Sequence, residues 1–88
     1  MMVNPMWTFL PGYFISTAKT PDCGWETMVF PAEPGAGVIR GFHAGLIYGE
    51  YVHGVDFDTE LMTRHYRTRK EAVEGHRQVV AEIEEMIP

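Results

Sequence analysis

Segments rich in aromatic and β-branched residues, broken by proline and glycine, fill most of this chain, and a three- and four-residue hydrophobic repeat fills its end. That order predicts strands followed by one helix. Residues 13–20 stop at the turn composition Pro21-Asp22-Cys23-Gly24, and a second strand is predicted over 25–31. Residues 32–37, Ala-Glu-Pro-Gly-Ala-Gly, are predicted as a loop. Residues 38–54 carry Gly41, Gly45, Gly49 and Gly54 among aromatics, which argues against a helix and for a bulged strand or a hairpin. Asp56 and Asp58 mark a connection, and 60–67 is predicted as the last strand. Residues 1–12 form an apolar, proline-punctuated lead-in whose Trp7, Phe9 and Leu10 need cover.

The helix is predicted over 68–87. Thr68 stands where an N-cap belongs, and Glu71 follows three residues later, so the two form a capping box that satisfies amides at the helix start. Ala72, Val73, His76, Val79, Val80, Ile83 and Ile87 then make one apolar stripe. The fold class expected is α+β: a small antiparallel sheet of three to four strands packed against one C-terminal amphipathic helix, in a single domain.

Period-two alternation sends Met28 and Phe30 to one face of the second strand and Trp25, Thr27 and Val29 to the other, so both faces are apolar. One helix covers one face. The other needs the N-terminal segment, a second copy of the chain or a different partner, and a second copy is preferred. Trp7, Phe9, Trp25 and Val29 are the candidate interface residues.

Composition narrows the partners. At 88 residues, with 45% hydrophobic and 22% charged positions, the chain suits one globular domain, and a domain of this size buries only about 60–65% of its unfolded surface. The net charge of −5 is concentrated in residues 1–60, where seven acids face Lys19 and Arg40. Nucleic-acid binding by bulk charge is therefore disfavoured. Cys23 is the single cysteine, so no internal disulfide is expected and the cytosol is the default compartment. The start lacks a basic n-region and is broken by Pro5, Pro11 and Gly12, unlike a signal peptide. No window approaches the roughly 18 apolar residues of a membrane span.

The chemistry-bearing residues do not form a recognisable constellation. His43, His53, His65 and His76, with Cys23, Asp22, Asp56 and Asp58, lack close metal-ligand spacing, and no metal or cofactor is expected. His76 falls on the apolar stripe, where a core-edge histidine bonded to a backbone carbonyl is the preferred reading. Phosphate-loop, dinucleotide and nucleophile-elbow patterns are absent. One charge pattern is unusual: Arg69 and Lys70 open the helix while Glu82, Glu84 and Glu85 close it, against the macrodipole. With Arg64 and Arg67, these bases make the candidate anion site, for a phosphate, a nucleotide or an acidic protein surface. Solvated or paired bases are the preferred alternative.

Ser16-Thr17, Glu26-Thr27-Met28-Val29-Phe30 and Tyr66-x-Thr68-x-x-Glu71-Ala72-x-x-Gly75-His76 together resemble a family of short uncharacterised proteins of tailed phages, especially those infecting actinobacteria. The resemblance spans residues 15–80 in outline and departs from the family in 38–54 and in the N-terminal extension. It implies a phage accessory role in the cytoplasm of an infected cell and no particular activity. The expected function is a non-enzymatic binding module, homo-oligomeric and engaging an unidentified protein. The alternative is a binder of a small anionic ligand through Arg64, Arg67, Arg69 and Lys70. An enzyme using His43, His53 or His65 is the weakest reading, because two of them would have to converge with a carboxylate.

Overall fold

In a computed structural model, which describes residues 6–22, 24–43 and 47–88, the N-terminal segment is an edge strand, β1 (Met6–Leu10). Pro11 supplies the fixed φ of a tight turn and Gly12, at φ 85°, supplies the left-handed position that a side chain resists. The chain thus reverses after two residues, with Leu10 opposite Tyr13, and β2 (Tyr13–Lys19) runs antiparallel to β1. β3 (Trp25–His43) follows and pairs with β2 from Trp25 to Pro31.

The expected loop at 32–37 is corrected. β3 continues through it for 19 residues, and the interruption is a register shift between Ala32 and Gly37. Pro34 has no amide to give a ladder and Gly35 has φ 86°, so both are tolerated where pairing lapses. Of residues 38–54, the described ones, 38–43 and 47–54, lie on two strands that pair with each other: the far half of β3 runs antiparallel to β4 (Ile47–Val55), and 44–46 lie outside the described residues. β5 (Met62–Tyr66) then pairs with Trp25–Val29 of β3 and is shorter than the 60–67 expected. Asp56 N–H donates to the Pro31 carbonyl and Leu61 N–H to that of Val29, so β4 and β5 follow one another along the same edge of β3. Among the described residues five strands form the curled sheet, one more than the upper end of the expected range.

The helix α1 (Arg69–Met86) starts at a complete capping box: Glu71 N–H donates to Thr68 Oγ1 at 3.1 Å, and Thr68 N–H donates to Glu71 Oε1 at 3.2 Å. It buries Ala72, Gly75, His76, Val79 and Ile83. Val79 and Ile83 meet Ile15 and Val29 in the core, ringed by Leu10, Tyr13, Met62, Val80 and Ile87. Full burial of each such side chain stabilises by about 1.5–3 kcal/mol, a large share of a small domain's net stability. Gly75 lets the helix approach the sheet closely, because a Cβ there would overlap the Tyr66 ring unless the ring moved.

Phe14 and Phe30 lie on the opposite face of the sheet and are also buried. Phe57, from the connection between β4 and β5, meets both edge-on at centroid distances of 6.0 and 5.1 Å. Phe9 lies 4.7 Å from Phe14, and Trp7 lies 6.4 Å from it. Much of the second face is therefore covered within the chain. The radius of gyration, 13.6 Å, exceeds the roughly 12 Å of a compact chain of this length.

Candidate functional site

Beyond the bulge, residues 37–43 of β3 and 47–53 of β4 pair only with each other among the described residues, forming a two-stranded arm. α1 packs on β1, β2, β3 and β5 and so covers the body of the sheet. On the arm, large apolar side chains stay in water: Val38 is 44% exposed, Ile39 52%, Phe42 68% and Tyr48 60%. A monomer of 10.0 kDa typically exposes about 5,200 Å², and this one exposes 6284 Å².

Register arranges the arm into two strips. Val38 faces Val52, Arg40 faces Glu50 and Phe42 faces Tyr48, and alternation puts these three cross-strand pairs on one side. Arg40 and Glu50 form an ion pair. Phe42 and Tyr48 pack edge-to-face at 5.2 Å. One strip thus carries an apolar pair at its base, an aromatic pair toward its tip and a plus–minus pair between them. The other side holds Ile39 opposite Tyr51 and Gly41 opposite Gly49.

A second polar feature lies under the helix. His76 is not bonded to a backbone carbonyl, as its place on the apolar stripe suggests, but to two threonines. Thr8 Oγ1 lies 2.8 Å from its Nε2, and Thr17 Oγ1 lies 2.7 Å from its Nδ1. Thr17 in turn bonds Thr27 directly across the strand pair. A neutral imidazole donates from one nitrogen and accepts at the other, so the row Thr8–His76–Thr17–Thr27 is satisfied by the uncharged form. Burial pushes the His76 pKa below its ordinary value, consistent with that form. A groove of about 460 Å³ lies beside it between β1 and the helix, its lining including Met6, Thr8, Val73, Arg77 and Val80. Both imidazole nitrogens face inward to hydroxyls, so this row orients the helix on the sheet and offers no free base.

The candidate anion residues separate. Arg64 points along the helix to Glu82, with Nη1 at 2.6 Å and Nη2 at 3.0 Å from its two oxygens. That contact raises the Arg64 pKa and lowers that of Glu82. It lies about 20 Å along the helix from the N-terminus, at 1.5 Å per residue. Arg67, Arg69 and Lys70 remain exposed around the helix start. There the capping box already uses the Thr68 and Glu71 amides. A cavity of about 480 Å³ is lined by Gly24, His65, Tyr66 and Arg67.

The candidate interface residues separate as well. Trp25 and Val29, 6% and 0% exposed, are corrected to core positions on the helix side of the sheet. Trp7 and Phe9 are half-buried around Phe14 on the other side. His53 lies on the arm, while His65 lies on β5 with Nδ1 3.6 Å from Glu26. His43 closes β3, and Cys23 lies outside the described residues. Among the described residues, no group of three or more His, Cys, Asp or Glu could hold a metal. No described helix is long and apolar enough to cross a membrane.

Sequence reasoning missed the arm as a site, although its signal was present. Val38, Ile39, Phe42 and Tyr48 sit in a stretch that glycine spacing marked as irregular, and no helical segment was left over to cover it. The row at His76 had no signal, because Thr8 and Thr17 meet it only through strand pairing. Comparison of the chain with protein-family models, with curated proteins and with solved structures gave no match.

Proposed function

We propose that this protein is a non-enzymatic interaction module whose contact surface is the β3–β4 arm. The observation that carries this is the exposure of Val38, Ile39, Phe42 and Tyr48 on a ribbon that the helix does not cover. An isolated two-stranded ribbon is marginal in water, and several exposed apolar side chains gathered on one short element mark a contact site. Docking would stabilise the arm and remove those side chains from water together. The resemblance to tailed-phage proteins supports an accessory role in the cytoplasm of an infected cell.

The test is site-specific photo-crosslinking in the expressing host, with a photoreactive amino acid in place of Phe42 or Tyr48 and, as controls, Gln78 or Glu84 on the helix. Protein adducts should form from the arm positions and not from the helix. Equal yields from both would overturn the reading.

The alternative, a small-anion binder, is favoured by the cavity beside Arg67, His65 and Tyr66. It requires a thermal shift with phosphate or nucleotides that Arg67→Ala removes. No shift would eliminate it.

A further inference from the structure

We infer that the arm's occupant is a second copy of this chain, docked strip to strip about a two-fold axis running along the arm. The inference rests on the arm being a contact surface and names what it contacts. The selection comes from the order of the cross-strand pairs. Two ribbons stacked face to face with their strands near alignment have two symmetric choices of axis in the plane between them. An axis across the strands places each β3 over the other β3, setting Arg40 against Arg40 and Phe42 over Val38. An axis along the strands places β3 over β4 of the second copy. Every position then meets its complement: Val38 meets Val52, Phe42 meets Tyr48, and Arg40 meets Glu50 of the second copy.

Like charges facing each other oppose docking, and opposite charges favour it. The Arg40–Glu50 pair therefore excludes the first arrangement and specifies the second, where four charges alternate in sign around the axis. A standard interface takes about 800 Å² from each partner, and a strip of three cross-strand pairs is a small contact beside that, so the association is concentration-dependent. Exposed Ile39 lies on the opposite side of the ribbon and stays outside the contact.

The experiment is solution mass by light scattering over a wide concentration range, for wild type, Arg40→Glu, Glu50→Arg and an equimolar mixture of the two variants. Each variant alone loses its own cross-strand pair and sets like charges against its copy. Each should dissociate on the order of tenfold more readily than wild type. In the mixture, the acid introduced at position 40 of one variant meets the base introduced at position 50 of the other. The unaltered Glu50 of the first meets the unaltered Arg40 of the second. A heterodimer should therefore return, although neither chain has regained its internal pair. Circular dichroism melts establish that each variant's body is folded.

A wild-type monomer at every concentration overturns the inference, as does a dimer indifferent to both substitutions. A mixture that stays monomeric overturns the alternating arrangement. The crosslinks separate this failure from that of the broader reading. Arm adducts of twice the chain mass support a second copy. Adducts of another mass leave the arm as a contact surface and remove the second copy as its occupant.

Discussion

Gly75 and His76 stand side by side on α1 and show how single residues set the helix on the sheet. Replacing glycine by alanine inside a helix ordinarily gains about 1 kcal/mol. Here the added carbon would overlap the Tyr66 ring. Gly75→Ala should therefore destabilise the fold by about 1–3 kcal/mol in denaturant titration. The loss should shrink when Tyr66→Ala is already present, since the obstructing ring is gone. An unchanged or raised stability for the single variant would contradict this packing. His76 makes a prediction in pH. Its folded-state pKa is held below the ordinary 6.5 by burial, so below that pH the unfolded chain binds a proton that the folded chain resists. Stability present above pH 6.5 should fall as pH drops through that value, with a slope bounded by one proton, about 1.4 kcal/mol per pH unit. His76→Gln should flatten this region of the profile. Glu82, held below 4.5 by Arg64, acts in a lower window, where its contribution is lost as pH falls further.

At the scale of elements, the helix start and the arm differ in what they contribute. Thr68→Ala removes the acceptor for the Glu71 amide and should cost about 0.5–2 kcal/mol, read as a lowered midpoint in the same titration. Val38→Asp with Phe42→Asp should leave the stability of the body within about 0.5 kcal/mol, since both side chains are exposed on the arm. A large loss would mean that the arm is part of the folding core. The helix and its cap were legible in the sequence because their signals are local: Thr68, Glu71 and the stripe all lie within 20 residues. The second and last strands were legible for the same reason. β1 was not, although Pro11-Gly12 between two apolar runs is a turn signal, because the prolines around it marked an apolar lead-in with no assigned element. The run through 32–37 was hidden by Pro34 and Gly35, which signal a break in local pairing but not whether the strand resumes beyond it. Of the candidate site residues, Arg64 was misplaced because its partner Glu82 lies 18 residues away, a distance that only β5-on-α1 packing closes.

At the scale of the whole molecule, a covered body and an uncovered arm share one strand. β3 is central to the body over Trp25–Val29, paired on both sides, and becomes one side of a free ribbon after its bulge. A rigid body that projects an apolar ribbon positions it for contact while leaving the ribbon itself to fray until something covers it. Phe57 closes over Phe14 and Phe30 on the second sheet face, while Val38, Ile39, Phe42 and Tyr48 of the arm stay exposed.

The measurement closest to this account is hydrogen exchange of the arm amides, residues 38–42 and 48–52, at low and high protein concentration, with the helix amides as an internal reference. If the arm is a contact surface for a second copy, its amides should exchange quickly when dilute and slow markedly when concentrated. Helix protection should stay constant, and Arg40→Glu should abolish the slowing. Arm exchange that is the same at both concentrations would contradict self-association through the arm.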